Sequence, residues 1–156
     1  MVDRRDWAGW LQGPRKSLES QGIELGYPGQ RLGLPESGAG SIARFGRRIG
    51  ALTVDWLSAL VIAGFIRSFL DQQIEQNLLT LLVFYLHTFL FIVLFGGSFG
   101  HRIFGIEIRS LSGRRINILP VAIRQALICL VVPAVIYDRD QRSLHDKATG
   151  LVAVVK

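Results

Sequence analysis

Residues 78–99 read LLTLLVFYLHTFLFIVLFGGSF, a run with no formal charge and a single histidine, His87. A bilayer core about 30 Å thick takes roughly 20 apolar residues as a helix, so this run is long enough to cross one. It lacks the polar stripe that an amphipathic soluble helix carries. Just upstream, residues 49–66 read IGALTVDWLSALVIAGFI, with one charge, Asp55. A soluble core is the alternative home for two such helices. A chain of 156 residues has too little remaining mass to wrap both on every side. The expectation is two transmembrane helices, over about 49–69 and 78–99.

A third apolar run, residues 118–137 (ILPVAIRQALICLVVPAVIY), is interrupted by Arg124 and holds Pro120 and Pro133. Its uncharged part is short enough for a re-entrant or interfacial segment as well as a marginal span. The fold class expected is an all-α membrane protein with two full spans and this shorter third segment.

Composition agrees. The chain is 49% hydrophobic and only 19% charged, against about 25% charged in soluble domains. So much apolar surface excludes disorder of the whole chain. Cys129 is the only cysteine, which excludes a disulfide scaffold built within the chain.

The net charge of +6 falls in segments. Residues 1–48 carry +3, 49–77 carry −2, 78–120 carry +3 and 121–156 carry +2. Arg44, Arg47 and Arg48 precede the first helix, and Arg102, Arg109, Arg114 and Arg115 follow the second. The loop between them (DQQIEQN, 71–77) has no lysine or arginine. By the positive-inside rule the N-terminus is cytoplasmic and the acidic loop external. A third full span would put Arg139, Arg142, Lys147 and Lys156 outside, against that rule. Re-entry or steep tilt of the third segment keeps them inside. Because the basic residues flank membrane ends, no nucleic-acid partner is needed to account for them.

Residues 1–41 form an irregular tail rich in glycine and proline, and no secretory signal is expected, as no apolar stretch precedes Ile49. Trp7, Trp10 and Leu11 sit at helical spacing beside Arg4, Arg5 and Arg15. They suit either a short interfacial anchor or a mobile tail. Residues 103–118 alternate about Leu111-Ser112-Gly113, which predicts a small cytoplasmic β-hairpin. The apolar tail 151–155 is a plausible further strand against it.

Asp55 is the most informative residue. A carboxylate in hydrocarbon costs at least ~2.5 kcal/mol on insertion scales, so it pairs, protonates or faces water. Arg48 lies seven residues earlier on the same helix face, about 10 Å away in rise. Arg47 points elsewhere, and Arg124 is an equally good partner in space. Asp55 is therefore either a proton- or cation-binding carboxylate or half of a fixed ion pair. His87, midway along the second helix, is either a proton shuttle or a hydrogen-bonded structural residue. Arg67 is expected to reach the headgroups.

Enzymatic chemistry has no visible address. The glycines of 96–105 lack the Gly-Lys-Ser/Thr ending of a phosphate loop. His87, His101, His145 and Cys129 do not have metal-ligand spacing, and no nucleophile motif occurs. No enzyme activity, cofactor or metal is expected.

Taken together, Arg47-Arg48 with Asp55, Gly100-His101-Arg102 through Gly105, Arg124, and His145-Asp146 with Ala148-Thr149-Gly150 resemble the RDD family of small bacterial membrane proteins. The resemblance covers about residues 42–155, with His101 where the family usually has lysine. The tail looks like those of actinobacterial members. It implies an RDD-like membrane domain over 42–156 in the bacterial cytoplasmic membrane. It also implies ion or proton-coupled transport, which three membrane segments can support only as a homo-oligomer. The alternative is a non-catalytic accessory or assembly subunit of a larger membrane complex.

Overall fold

The computed structural model describes residues 26–69, 75–113, 115–130 and 142–156. In chain order the elements are α1 (Phe45–Arg67), α2 (Gln76–Phe95), α3 (Phe99–Ile103), β1 (Ile106–Ser110), α4 (Ile118–Cys129), α5 (Leu144–Thr149) and β2 (Leu151–Val155). The expected anchor at Trp7, Trp10 and Leu11, and the stretch of the third apolar run beyond Leu130, lie outside the described residues.

Helix α1 has 23 residues and α2 has 20, about 34 and 30 Å at 1.5 Å per residue. Among the described residues these are the two helices long and apolar enough to cross a membrane. They pack through complementary stripes four residues apart. On α1 the buried positions Ala51, Asp55, Ala59 and Ala63 present small side chains. On α2, Thr80, Phe84, Thr88 and Ile92 fill the space that they leave. Small residues let two helix backbones approach where no water drives them together. The threonines bury cheaply, since Thr80 and Thr88 donate to the carbonyls of Gln76 and Phe84 one turn back. The opposite face of α2 exposes Leu78, Leu82, Leu86, Leu90 and Leu94, again every fourth residue. Exposed leucine along the whole helix suits contact with lipid tails.

The ends of α2 are set locally. Glu75 caps its start by accepting from the Leu78 N–H at 3.0 Å. Gly96 ends it in the left-handed region at φ 74°, a conformation open to glycine. The Gly96 carbonyl then accepts from Ile108 N–H at 2.7 Å, tying the helix end to β1. At the other end Arg67 donates to Gln76 at 2.7 Å and bridges the two helices.

The expected hairpin within 103–118 does not form. Strand β1 pairs antiparallel with β2, from Ile106 opposite Val155 to Ser110 opposite Leu151. Residues 115–117 are in no strand, and Ile118 already begins α4. The tail strand wins because all five of its residues are apolar and need cover on both faces. Leu151 and Ala153 pack on the helices with Ala43, Ala51 and Ile108. Val152 and Val154 pack on Ile42, Leu32 and Leu34. Arg115-Ile116-Asn117 offers no such surface. The chain just before α1 also borders β2, through Ala43 N–H to Ala153 O at 3.0 Å and Val155 N–H to Ser41 O at 2.8 Å.

Helix α4 has 12 residues, about 18 Å, too short for a bilayer core by itself. Pro120 is tolerated in its first turn, where no intrahelical donor is lost. Its Val121, Arg124 and Gln125 are buried, while Ile118, Leu119 and Ile123, and Leu130 just past its end, are exposed.

Candidate functional site

Two polar centres meet beside the junction of α1, α2 and α4. The first is a charged clamp. Asp146, on α5, is fully buried, at 0% exposure. One carboxylate oxygen accepts from Arg48 Nη1 at 2.7 Å and the other from Arg124 Nε at 2.8 Å. Arg48 also donates to Ala43 O, Ser143 Oγ and Ala153 O. One guanidinium thus ties α1 to α5, to β2 and to the strand-like segment before itself. Arg124 donates from Nη1 to Gln125 Oε1 at 2.8 Å, and Gln125 donates to Thr88 at 2.5 Å. This links α4 to α2. His145 completes the cluster, 3.4 Å from Asp146 and 2.9 Å from the Ser143 hydroxyl.

Burial alone would raise the Asp146 carboxyl. The Arg124 and Arg48 guanidiniums outweigh it and hold the carboxyl well below the usual carboxylate range.

The second centre surrounds Asp55, 2% exposed in the middle of α1. Its carboxylate accepts from the Ser98 hydroxyl and, at 2.7 Å, from the Gly100 backbone N–H. His87 Nε2 stands 3.9 Å away and 3.5 Å from the Ser58 hydroxyl. Ser98 is the N-cap of α3, and His101 reciprocates by accepting from the Ser98 N–H at 3.2 Å. This capping box turns the α2–α3 corner toward α1. Glycine at 100 is required there, because a Cβ would fall on the Ala51 carbonyl.

The sequence pointed to Arg48 or Arg124 as the partner of Asp55. Both arginines are on Asp146 instead. The seven-residue offset leaves Arg48 nearly two turns from Asp55, and α5 brings Asp146 closer to both guanidiniums. Among the described residues no arginine or lysine pairs with Asp55. Arg47 is exposed, away from both centres. Ser98, Gly100, Gln125, Thr88 and Ser143 were not legible as site residues. The one sequence signal was the Ser-x-x-His spacing of 98–101, which resembles a capping box with histidine in place of glutamate or glutamine.

A cavity of about 50 Å³ separates the centres, lined on its polar side by Arg48, Asp55, His101, Arg124, Gln125 and His145. That is room for one or two water-sized particles. His101 is pushed down to about 3, first by burial and then by the positive charge of Arg124, so it is neutral here.

These shifts set an acid limit. His101 takes up its proton more readily unfolded than folded, so its contribution is whole above pH 6.5 and is lost as the pH falls towards 3. Asp146 binds its proton less readily folded, so its contribution is lost below about pH 3.8. In detergent, the unfolding midpoint of His101→Gln should fall less between pH 7 and pH 4 than that of the unaltered protein. Glutamine keeps the capping box, and equal falls would remove His101 as the cause.

Residues 42–150 match the family described as RDD. No curated protein and no solved structure matches the chain.

Proposed function

The chain belongs to the RDD family, and on that premise we propose that it is a proton-coupled ion transporter with Asp55 as its proton-carrying carboxylate. Family membership and the two apolar helices make it a membrane protein. In this reading it is a multi-pass protein of the bacterial cytoplasmic membrane with a cytoplasmic N-terminus, as the arginine distribution favours. Among the described residues, two membrane-length helices and one short helix enclose no aqueous path, so in this reading the working unit is a homo-oligomer.

One observation carries the reading. Asp55 lines a cavity from within a membrane-length helix, and among the described residues no arginine or lysine pairs with it, only the titratable His87 standing 3.9 Å away. A fixed ion pair would have spent that charge. Here the arginines are spent on Asp146, and Asp55 keeps carboxylate lone pairs beyond its two neutral donors.

The test is proton flux in sealed proteoliposomes under an imposed sodium chloride gradient. The unaltered protein is expected to move protons and Asp55→Asn to move none, with both running as folded species in size exclusion. Absence of flux in both folded proteins would overturn the transport reading in favour of an accessory role in a larger membrane complex.

A further inference from the structure

We propose that the cavity between Asp55 and the Arg48–Asp146–Arg124 clamp binds a small monovalent anion of chloride size when Asp55 carries a proton. The proposal rests on the reading of Asp55 as a proton carrier and adds the class of ion taken up with the proton.

The charge count leads there. Two arginines and two aspartates lie within this buried region: Arg48 and Arg124 against Asp146 and Asp55. Among these four groups the charges cancel only while Asp55 is ionised. Protonation of Asp55 leaves one positive charge in a low-dielectric interior, where an uncompensated ion is costly. An anion in the adjoining cavity restores the balance.

Donors for that anion are in place. Arg124 is 3% exposed and lines the cavity. Its contacts are Nε to Asp146 and Nη1 to Gln125. A guanidinium has five N–H groups, so Nη2 remains without an acceptor among the described residues. Gln125 also lines the cavity, and its amide has a second N–H beyond the one given to Thr88. The volume of about 50 Å³ suits a single small ion. Ionised Asp55 on the opposite wall repels the same ion, so proton and anion favour each other's binding. Proton and anion then enter as a neutral pair, which avoids carrying net charge into the hydrocarbon layer.

The groups facing the cavity from the packed elements are Arg48 and Asp55 on α1, His101 on α3, Arg124 on α4 and His145 on α5, with His87 on α2 and Asp146 behind them. Protonation of His87 or His145 would also draw an anion. The Asp55→Asn variant separates this effect, because any pH dependence left in it belongs to the histidines.

The experiment is the chloride-35 NMR linewidth of the full chain in lipid nanodiscs, titrated with sodium chloride against sodium gluconate. At pH 8, Asp55→Asn is expected to bind chloride about tenfold or more tightly than the unaltered protein. Removing a unit charge across one small cavity is worth at least that much. The unaltered protein should gain affinity from pH 8 to pH 5. Equal chloride binding in the two at pH 8, or none in either, overturns the proposal. Should Asp55→Asn not be recovered folded, Asp55→Ser takes its place, and broadening by the unaltered protein that does not grow on acidification overturns the proposal. Chloride binding of the expected pattern without proton flux removes the transport reading and leaves the anion site. Flux without chloride binding does the reverse.

Discussion

Asp146→Ala is expected to abolish the folded protein or to lower its stability by about 3–5 kcal/mol, the range found when one member of a buried ion pair is removed. That is a large share of the 5–15 kcal/mol of a typical domain. The carboxylate is fully buried and holds one guanidinium on each oxygen, at 2.7 and 2.8 Å. Without it, Arg48 and Arg124 remain buried with the single charge of Asp55 to balance them. The α1–α5 and α4–α5 contacts lose their polar anchor together. A matched pair of variants gives the sharper test. The double variant Arg124→Met with Asp146→Asn removes one charge of each sign and leaves Arg48 balanced by Asp55. It should be more stable than Asp146→Ala, although it alters more atoms. Thermal unfolding in detergent, followed by circular dichroism, orders the two. If the double variant is the weaker, charge balance does not govern the clamp.

The second large effect is expected at Gly100. Alanine there would place its Cβ on the Ala51 carbonyl, and a backbone group of a packed helix cannot rotate away. Helix α3 must move off α1. The Gly100 N–H then leaves the Asp55 carboxylate, and Asp55 keeps only Ser98 as a donor. Overpacking and an unmet buried hydrogen bond each cost about 1–3 kcal/mol. A loss of about 2–4 kcal/mol is expected, with loss of any activity that depends on Asp55. Gly64→Ala is the control. Gly64 lies within α1 with nothing within 4 Å of an added Cβ, so alanine should be neutral or slightly stabilising there. Equal losses at both positions would argue against close approach of α1 and α3 as the reason for glycine at 100.

The two variants probe different sequence signals. Asp146 was visible as part of a tail motif, but nothing near it in the chain showed that it would take both arginines. Its partners lie 98 and 22 residues away. Gly100 was visible as the first residue of the Gly100-His101-Arg102 stretch shared with the family, but nothing in that stretch showed why glycine is needed there. Its close approach to Ala51 is a contact between separate elements.

The sequence by itself determined the membrane helices, because length and hydrophobicity are local properties that a bilayer reads directly. It also marked Asp55 as a carboxylate that has to be accounted for, since its cost in hydrocarbon depends on its position in the run and not on its neighbours. Tertiary structure alone decided which groups account for it. Arg48 and Arg124 were equally plausible partners along the chain, and α5 brought Asp146 between them, leaving Asp55 to Ser98 and Gly100. Strand pairing was decided the same way. Alternation in 103–118 set β1, but its partner was chosen by which segment had apolar residues on both faces to bury. That segment is β2, some forty residues downstream of β1. Helix signals are written within a few turns of chain. Ion pairing and strand pairing depend on competition among distant groups for one buried place, and only the folded chain resolves it.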